Sequence, residues 1–204
     1  CNGGARRTQI YTNHSYPEKK DLVFGFSLYK PSQGVSAKTN WTTGPLFFEL
    51  KADHMKTGVN IAPTFRLHLN PKTKKISYVL DVCDSNTGKT CDKYGDIASL
   101  KFNKWTDFKI ETKQTTGKNG YVRVYINRKL VYSHKGKSSS TKLPVLLNLG
   151  PYVCASGCDK MAKNEPNHTF YFDLVSSEIV TGLEVTSPNG KEKWKTKKKY
   201  TIKW

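Results

Sequence analysis

Arginine is scarce in this chain: 5 of its 34 basic residues are Arg and 29 are Lys. Base-reading DNA and RNA proteins lean on the bidentate guanidinium fork, a tool this Lys-dominated chain has little of, so a nucleic-acid binder ranks third among the readings. Acidic residues are also few, 16 in 204, and no apolar run approaches the roughly 18–20 residues of a spanning helix. No segment sustains a 3.6-residue apolar period, which excludes a helical bundle. A Gly-x-Ser-x-Gly elbow and a phosphate loop are both missing, which removes the serine-hydrolase and P-loop classes. The paired acids of a retaining glycosidase strand are missing too.

What remains is a basic chain, net charge +18, with 36% hydrophobic and 12% aromatic residues, enough to build a core. Its Lys-rich surface fits a diffuse polyanion such as an acidic polysaccharide. Cysteines stand at 1, 83, 91, 154 and 158. Cys83 and Cys91 enclose a turn-rich stretch, and Cys154 and Cys158 enclose a short loop holding Gly157, spacings that suit local disulfides. Zinc is the competing reading, but no Cys-x-x-Cys pair or suitably spaced His accompanies them, so no cofactor is expected. Disulfides predict an oxidising, extracellular or cell-surface setting. Glycosylation sequons at Asn13, Asn40 and Asn167 agree with that, although 13 Asn and 35 Ser plus Thr yield about two sequons by chance. Opening on Cys rather than Met, the chain reads as a mature or trimmed form.

The pattern is strand-like almost throughout. Segments 22–29, 46–51, 64–69, 76–82, 108–112, 121–127, 130–132, 145–149 and 169–175 are β-rich and bounded by turn residues. In 121–127, Val122, Val124 and Ile126 share one face, and Tyr121, Arg123 and Tyr125 the other. That second face fits either a sugar-stacking surface or packing against another sheet. Short strands at this spacing predict an all-β fold, an antiparallel β-sandwich or jelly roll. A seam near Val180 divides residues 1–180 from a Lys-rich stretch, 181–204, with seven Lys and two Glu. Two strands cannot bury a core of their own, so that stretch predicts the start of a second β module or a ribbon that pairs with another copy.

Several segments together carry a resemblance. They are Arg6-Arg7-Thr8-Gln9-Ile10; Phe24-Gly25-Phe26-Ser27-Leu28-Tyr29-Lys30-Pro31; Trp105 to Ile110 with Gly120 to Val131; and Leu146-Leu147-Asn148-Leu149-Gly150-Pro151-Tyr152 with Tyr171-Phe172-Asp173. In this order they resemble the heparin lyase-like polysaccharide lyases, the concanavalin-like jelly-roll clan that includes alginate and glucuronan lyases. The tail, Val185 to Trp194 with Tyr200 to Trp204, resembles the opening of the immunoglobulin-like module of Ser/Thr-rich, GPI-anchored cell-wall proteins, with Lys191 in place of a Gly.

The lyase resemblance implies β-elimination on a uronic acid. That chemistry needs a group to neutralise the carboxylate, a base for the C5 proton and an acid for the leaving oxygen. It implies Tyr152 as the catalytic tyrosine of the closing motif, with Asn148 where that motif carries Lys. Arg7 and Gln9 hold the early strand, Gln9 where an acid is usual. Glu49 and Lys51 stand where relatives carry Gln and His. Arg66 and His68, two apart on a strand, are predicted to share a face and join Lys51 and Tyr152 as catalytic candidates. Tyr78 is predicted to reach the same groove as a substrate contact. A Glu at 49 repels a uronate, and Lys51 serves as a base only with a depressed pKa. Two readings follow: a secreted polysaccharide lyase, or a non-catalytic glycan-binding or structural module that assembles through residues 181–204.

Overall fold

A computed structural model describes residues 6–7, 9–12, 15–32, 45–53, 63–70, 73–83, 92–153 and 169–180, of which 6–7 and 152–153 are considered by backbone alone. Twelve strands run through these residues: β1 Arg6–Arg7, β2 Ile10–Tyr11, β3 Asp21–Tyr29, β4 Leu46–Ala52, β5 Phe65–Asn70, β6 Lys75–Asp81, β7 Asp92–Ser99, β8 Trp105–Lys113, β9 Tyr121–Ile126, β10 Lys129–Lys135, β11 Val145–Val153 and β12 Tyr171–Val180. They form two antiparallel sheets. One is ordered β1-β11-β4-β5-β6-β7, with β2 also pairing β11; the other is ordered β10-β9-β8-β3-β12. The expected antiparallel β-sandwich is the observed fold. The stretch 181–204, Cys91, Cys154, Cys158 and the sequons at Asn13, Asn40 and Asn167 lie outside the described residues. Cys83, just after β6, is disulfide-bonded. No helix in the described residues is long and apolar enough to cross a membrane.

Period-two alternation builds the sandwich. In β3 the inward residues are Leu22, Phe24, Phe26 and Leu28; in β9 they are Val122, Val124 and Ile126. They meet Phe48, Leu50, Phe65, Leu67 and Leu147 of the other sheet in one core. Phe26 stacks on Phe108 within its own sheet (4.9 Å between centroids, 6° between planes) and on Phe48 across the sandwich (5.7 Å, 14°). Each fully buried Phe contributes about 1.5–3 kcal/mol of transfer free energy, so this trio is a principal clamp between the sheets.

Turn chemistry fixes the register where the sequence pattern was clearest. Asn127 and Arg128 link β9 to β10 with φ of 48° and 67°, the all-positive geometry whose twist matches a tight hairpin. Asn127 also accepts the Asp107 backbone N–H through its side-chain oxygen (3.0 Å). The expected outward face of β9 is observed, and among the described residues no second sheet covers it. Tyr121 donates to Asp21 (2.8 Å), Tyr125 donates to Glu111 (3.1 Å), and Arg123 pairs with the same Glu111 (3.4 Å).

One strand escaped the sequence reading. β7 is polar and contains Gly95, which pairs directly with Tyr78 of β6. A Cβ on Gly95 would lie 3.3 Å from the Tyr78 ring, so the ring covers the bare backbone of this sheet-edge strand.

Candidate functional site

The face of the seven-stranded sheet turned away from the core carries a polar row. In register across three strands stand Asn148 of β11, Glu49 of β4 and Arg66 of β5. Directly opposed residues in an antiparallel pair project to the same face, so these three side chains form one line across the sheet. Their neighbours Phe48, Leu50, Leu67 and Leu149 point the other way into the core. Sequence separation hides this arrangement: Asn148 and Glu49 are 99 residues apart, yet Asn148 Nδ2 donates to Glu49 Oε1 at 2.6 Å.

The row is polar and nearly buried. Asn148 is 1% exposed and Glu49 4%. Such groups normally carry a full set of hydrogen bonds. Here Asn148 Oδ1, Arg66 Nε and both amide atoms of Gln9 have no hydrogen-bond partner among the described residues. Gln9 directly precedes β2, whose Tyr11 pairs with Asn148. Among the described residues, the row thus leaves an amide oxygen of Asn148, the Nε–H of Arg66 and the neutral amide of Gln9 without a partner. That combination suits a ligand carrying both hydroxyls and a carboxylate.

On its far side Arg66 meets Asp92 (Nη2 to Oδ2, 3.7 Å). Asp81 of β6 pairs with Asp92 in register. Burial pushes the Asp81 carboxyl above its ordinary value, opposed mainly by the N–H donated from Cys83. Glu49, Asp81 and Asp92 therefore bracket Arg66 with acids. Sequence reasoning missed Asp81 and Asp92; the only signal was period-two alternation along β6 and a strand, β7, that was not recognised.

The remaining candidates sort cleanly. Lys51, two residues along β4 from Glu49, lies on the same face and pairs with Leu146. His68 shares the face of Arg66, as expected from their spacing, and is buried. The backbone of Tyr152 lies between Arg7 of β1 and Leu46 of β4, and Leu46 in turn pairs with His68. Tyr152 and His68 are thus two strand spacings apart, about 10 Å between backbones. Tyr78 requires a correction. It pairs with the core residue Leu67, its ring lies 4.0 Å from that of Tyr132, and it packs on the core instead of reaching the polar face. The physical reason is parity: Ser77 and Val79 occupy the polar face of β6, so Tyr78 between them cannot.

Two bulges adjoin the row. Phe47 is an extra residue in β4 relative to β5, so Phe47 and Phe48 both turn inward and Leu46 regains the face of His68. In β11 the register slips again between Leu149 and Tyr152, around Gly150 with φ of 125°. That φ favours glycine, which accounts for a Gly within the closing motif. Among the described residues, no group of three or more His, Cys, Asp or Glu could hold a metal ion.

A family model described as polysaccharide lyase matches residues 1–176. Solved structures share the fold at low identity. An endo-β-1,4-glucuronan lyase from the fungus Trichoderma reesei superposes with a TM-score of 0.64 at 10% identity, covering 87% of this chain and 76% of that one. The family 7 alginate lyase A1-II′, solved with a product, gives 0.63 at 12% identity, covering 88% and 74%. A polysaccharide lyase of family 18 gives 0.58 at 11% identity, covering 88% and 82%. No curated protein matches the chain.

Proposed function

We propose, because the chain belongs to the polysaccharide lyase family, that it acts by β-elimination on a uronate-containing polysaccharide outside the cell. The observation that carries this reading is the buried row Asn148–Glu49–Arg66, with unsatisfied groups on Asn148, Arg66 and Gln9. Arg66 would meet the uronate carboxylate, with the Gln9 amide assisting. Neutralising that charge makes the C5 proton acidic, because the electron pair left behind spreads into the carboxyl group. A base takes the C5 proton, the C4–O4 bond breaks, a C4=C5 double bond forms, and an acid returns a proton to the departing oxygen. Tyr152, His68 and Lys51 are the proton-transfer candidates, and the backbone of Arg7 pairs with that of Tyr152. The disulfide at Cys83 supports an extracellular setting.

One observation favours a second reading. The Glu49 carboxylate takes the Asn148 amide hydrogen for itself and sets a negative charge beside Arg66, which suits a site that holds a glycan without cleaving it. Both readings are tested by incubating the full chain with polyglucuronate, alginate and heparin while following absorbance of the unsaturated product. The lyase reading expects product on at least one polymer and loss of at least tenfold in kcat/KM in Arg66→Ala. Binding that depends on Arg66, without product on any polyuronate, would establish the second reading.

A further inference from the structure

The outer face of the five-stranded sheet, on the opposite side of the sandwich from the polar row, bears three aromatic residues side by side. Tyr29 of β3 pairs with Trp105 of β8 on one flank and Tyr171 of β12 on the other. Their outward direction follows from alternation: Leu28, Thr106 and Phe172, next in each chain, turn inward. Trp105 is 52% exposed and Tyr171 53%. The ring centroids are 5.5 Å apart for Tyr29–Trp105 and 5.9 Å for Tyr29–Tyr171. The core needs none of these rings, and exposed aromatics grouped in this way mark a binding surface.

The next outward row identifies the kind of ligand. It consists of Asp107, Ser27 and Asp173, again in register across β8, β3 and β12. Ser27 donates to Asp107 Oδ1 (2.6 Å), and Asp173 Oδ1 accepts the Leu174 backbone N–H (2.8 Å) at a bulge where Leu174 has φ of 51°. Both carboxylates are exposed and thus bear further acceptor capacity beside the rings. Sugar hydroxyls donate to carboxylates, and the C–H faces of pyranose rings stack on aromatic planes. A uronate would be repelled by Asp107 and Asp173. No cation occupies either row; Lys104 lies in the turn before β8.

We infer that this surface is a second carbohydrate site, separate from the polar row, which binds a single chain of neutral hexopyranoses. The ring planes are inclined to each other by 51° and 61°, so they do not make one flat platform. A soluble chain that twists from residue to residue fits such rings, whereas a flat crystalline surface touches only one of them. The site gives the protein a grip on neutral glycan, and the polar row faces a different polymer.

The full chain is run by affinity electrophoresis through gels containing hydroxyethylcellulose, mixed-linkage β-glucan or glucomannan, and through gels containing polyglucuronate. At least one neutral polymer should retard the protein. Trp105→Ala and Tyr171→Ala should each weaken that retardation about three- to tenfold, the size of one aromatic contact, and the double variant should abolish it. Retardation by polyglucuronate should be unchanged in all three. Trp105→Phe, which keeps a ring, should retain most of the binding, so a loss equal to that of Trp105→Ala overturns the inference. It is equally overturned if no neutral polymer retards the wild type, or if retardation survives in the double variant.

Discussion

Replacing Asn148 by Leu should destabilise the protein by about 3 kcal/mol, and replacing Glu49 by Leu at the same time should restore most of that loss. Leu keeps the branch point and heavy-atom count of Asn but has bulkier methyl groups, and the double-mutant cycle cancels that bulk at buried position 148 because both Asn148→Leu proteins carry it. What disappears is the N–H donated to Glu49 Oε1 at 2.6 Å. A hydrogen bond to a charged group contributes about 1.5–3 kcal/mol, and a buried acceptor left without its donor costs a similar amount, about 1–3 kcal/mol, two measures of the same loss. The upper part of that range applies because Glu49 has little access to water. For a domain of this size, about 3 kcal/mol lowers Tm by roughly 6–12 °C. In Glu49→Leu with Asn148→Leu both partners become apolar, an exchange that is often nearly neutral. Urea unfolding of the four proteins in a double-mutant cycle should therefore give a coupling of about 2–3 kcal/mol. If Asn148→Leu costs under about 1 kcal/mol and the two single effects add, the carboxylate draws its support elsewhere and the row is not one polar unit.

Three further outcomes follow from the same geometry. If the proposed uronate carboxylate sits on Arg66, one strand from Glu49, Glu49→Gln removes a repulsion that, for two charges ~7 Å apart at an effective dielectric of about 20–40, is worth about 1–2 kcal/mol, so KM for a polyuronate should fall at least about fivefold. A raised KM in steady-state assays would contradict that placement. Asp81→Asn should become more stabilising relative to wild type as pH rises: with its folded pKa above 3.8, the stability Asp81 contributes is complete below 3.8 and is lost as pH rises through the higher folded value, and Asn has no such loss. Urea midpoints at acid and neutral pH check the sign. Gly120→Ala should cost about 2–4 kcal/mol by the same unfolding assay, because the new methyl group would meet Ser138 Oγ, the Gly136 carbonyl oxygen at 2.5 Å and Thr115 Cγ2 at 2.8 Å; an unchanged midpoint would show that this turn yields.

Local rules carried the fold a long way and the site only part of the way. Alternation in β8 and β9 and the turn residue Asn127 are properties of neighbouring residues, so they are visible in one chain. β7 was not, because its Gly95 depends on a ring from another strand for cover. At Phe47 the alternation breaks, so counting along β4 from Leu46 assigns the wrong side to whatever follows. Arg66 and His68 were readable as a pair because they are two residues apart on one strand. Their alignment with Glu49 and Asn148 was not, because it depends on which strands pair and in what register. The same limit placed Tyr78 on the wrong face: spacing alone does not say which of two parities is the core.

The two slips of register beside the polar row have a geometric outcome when taken together. Between the same two levels of the sheet, β5 advances one residue, from Leu67 to His68; β4 advances two, from Phe48 to Leu46; and β11 advances three, from Leu149 to Tyr152. The surplus is taken up locally: each bulge bends its own strand and increases the local twist, so β4 and β11 deform beside the row while β5 keeps its regular course. Shortening β11 by one residue within its bulge would bring it level with β4 and invert the parity of every side chain beyond the cut.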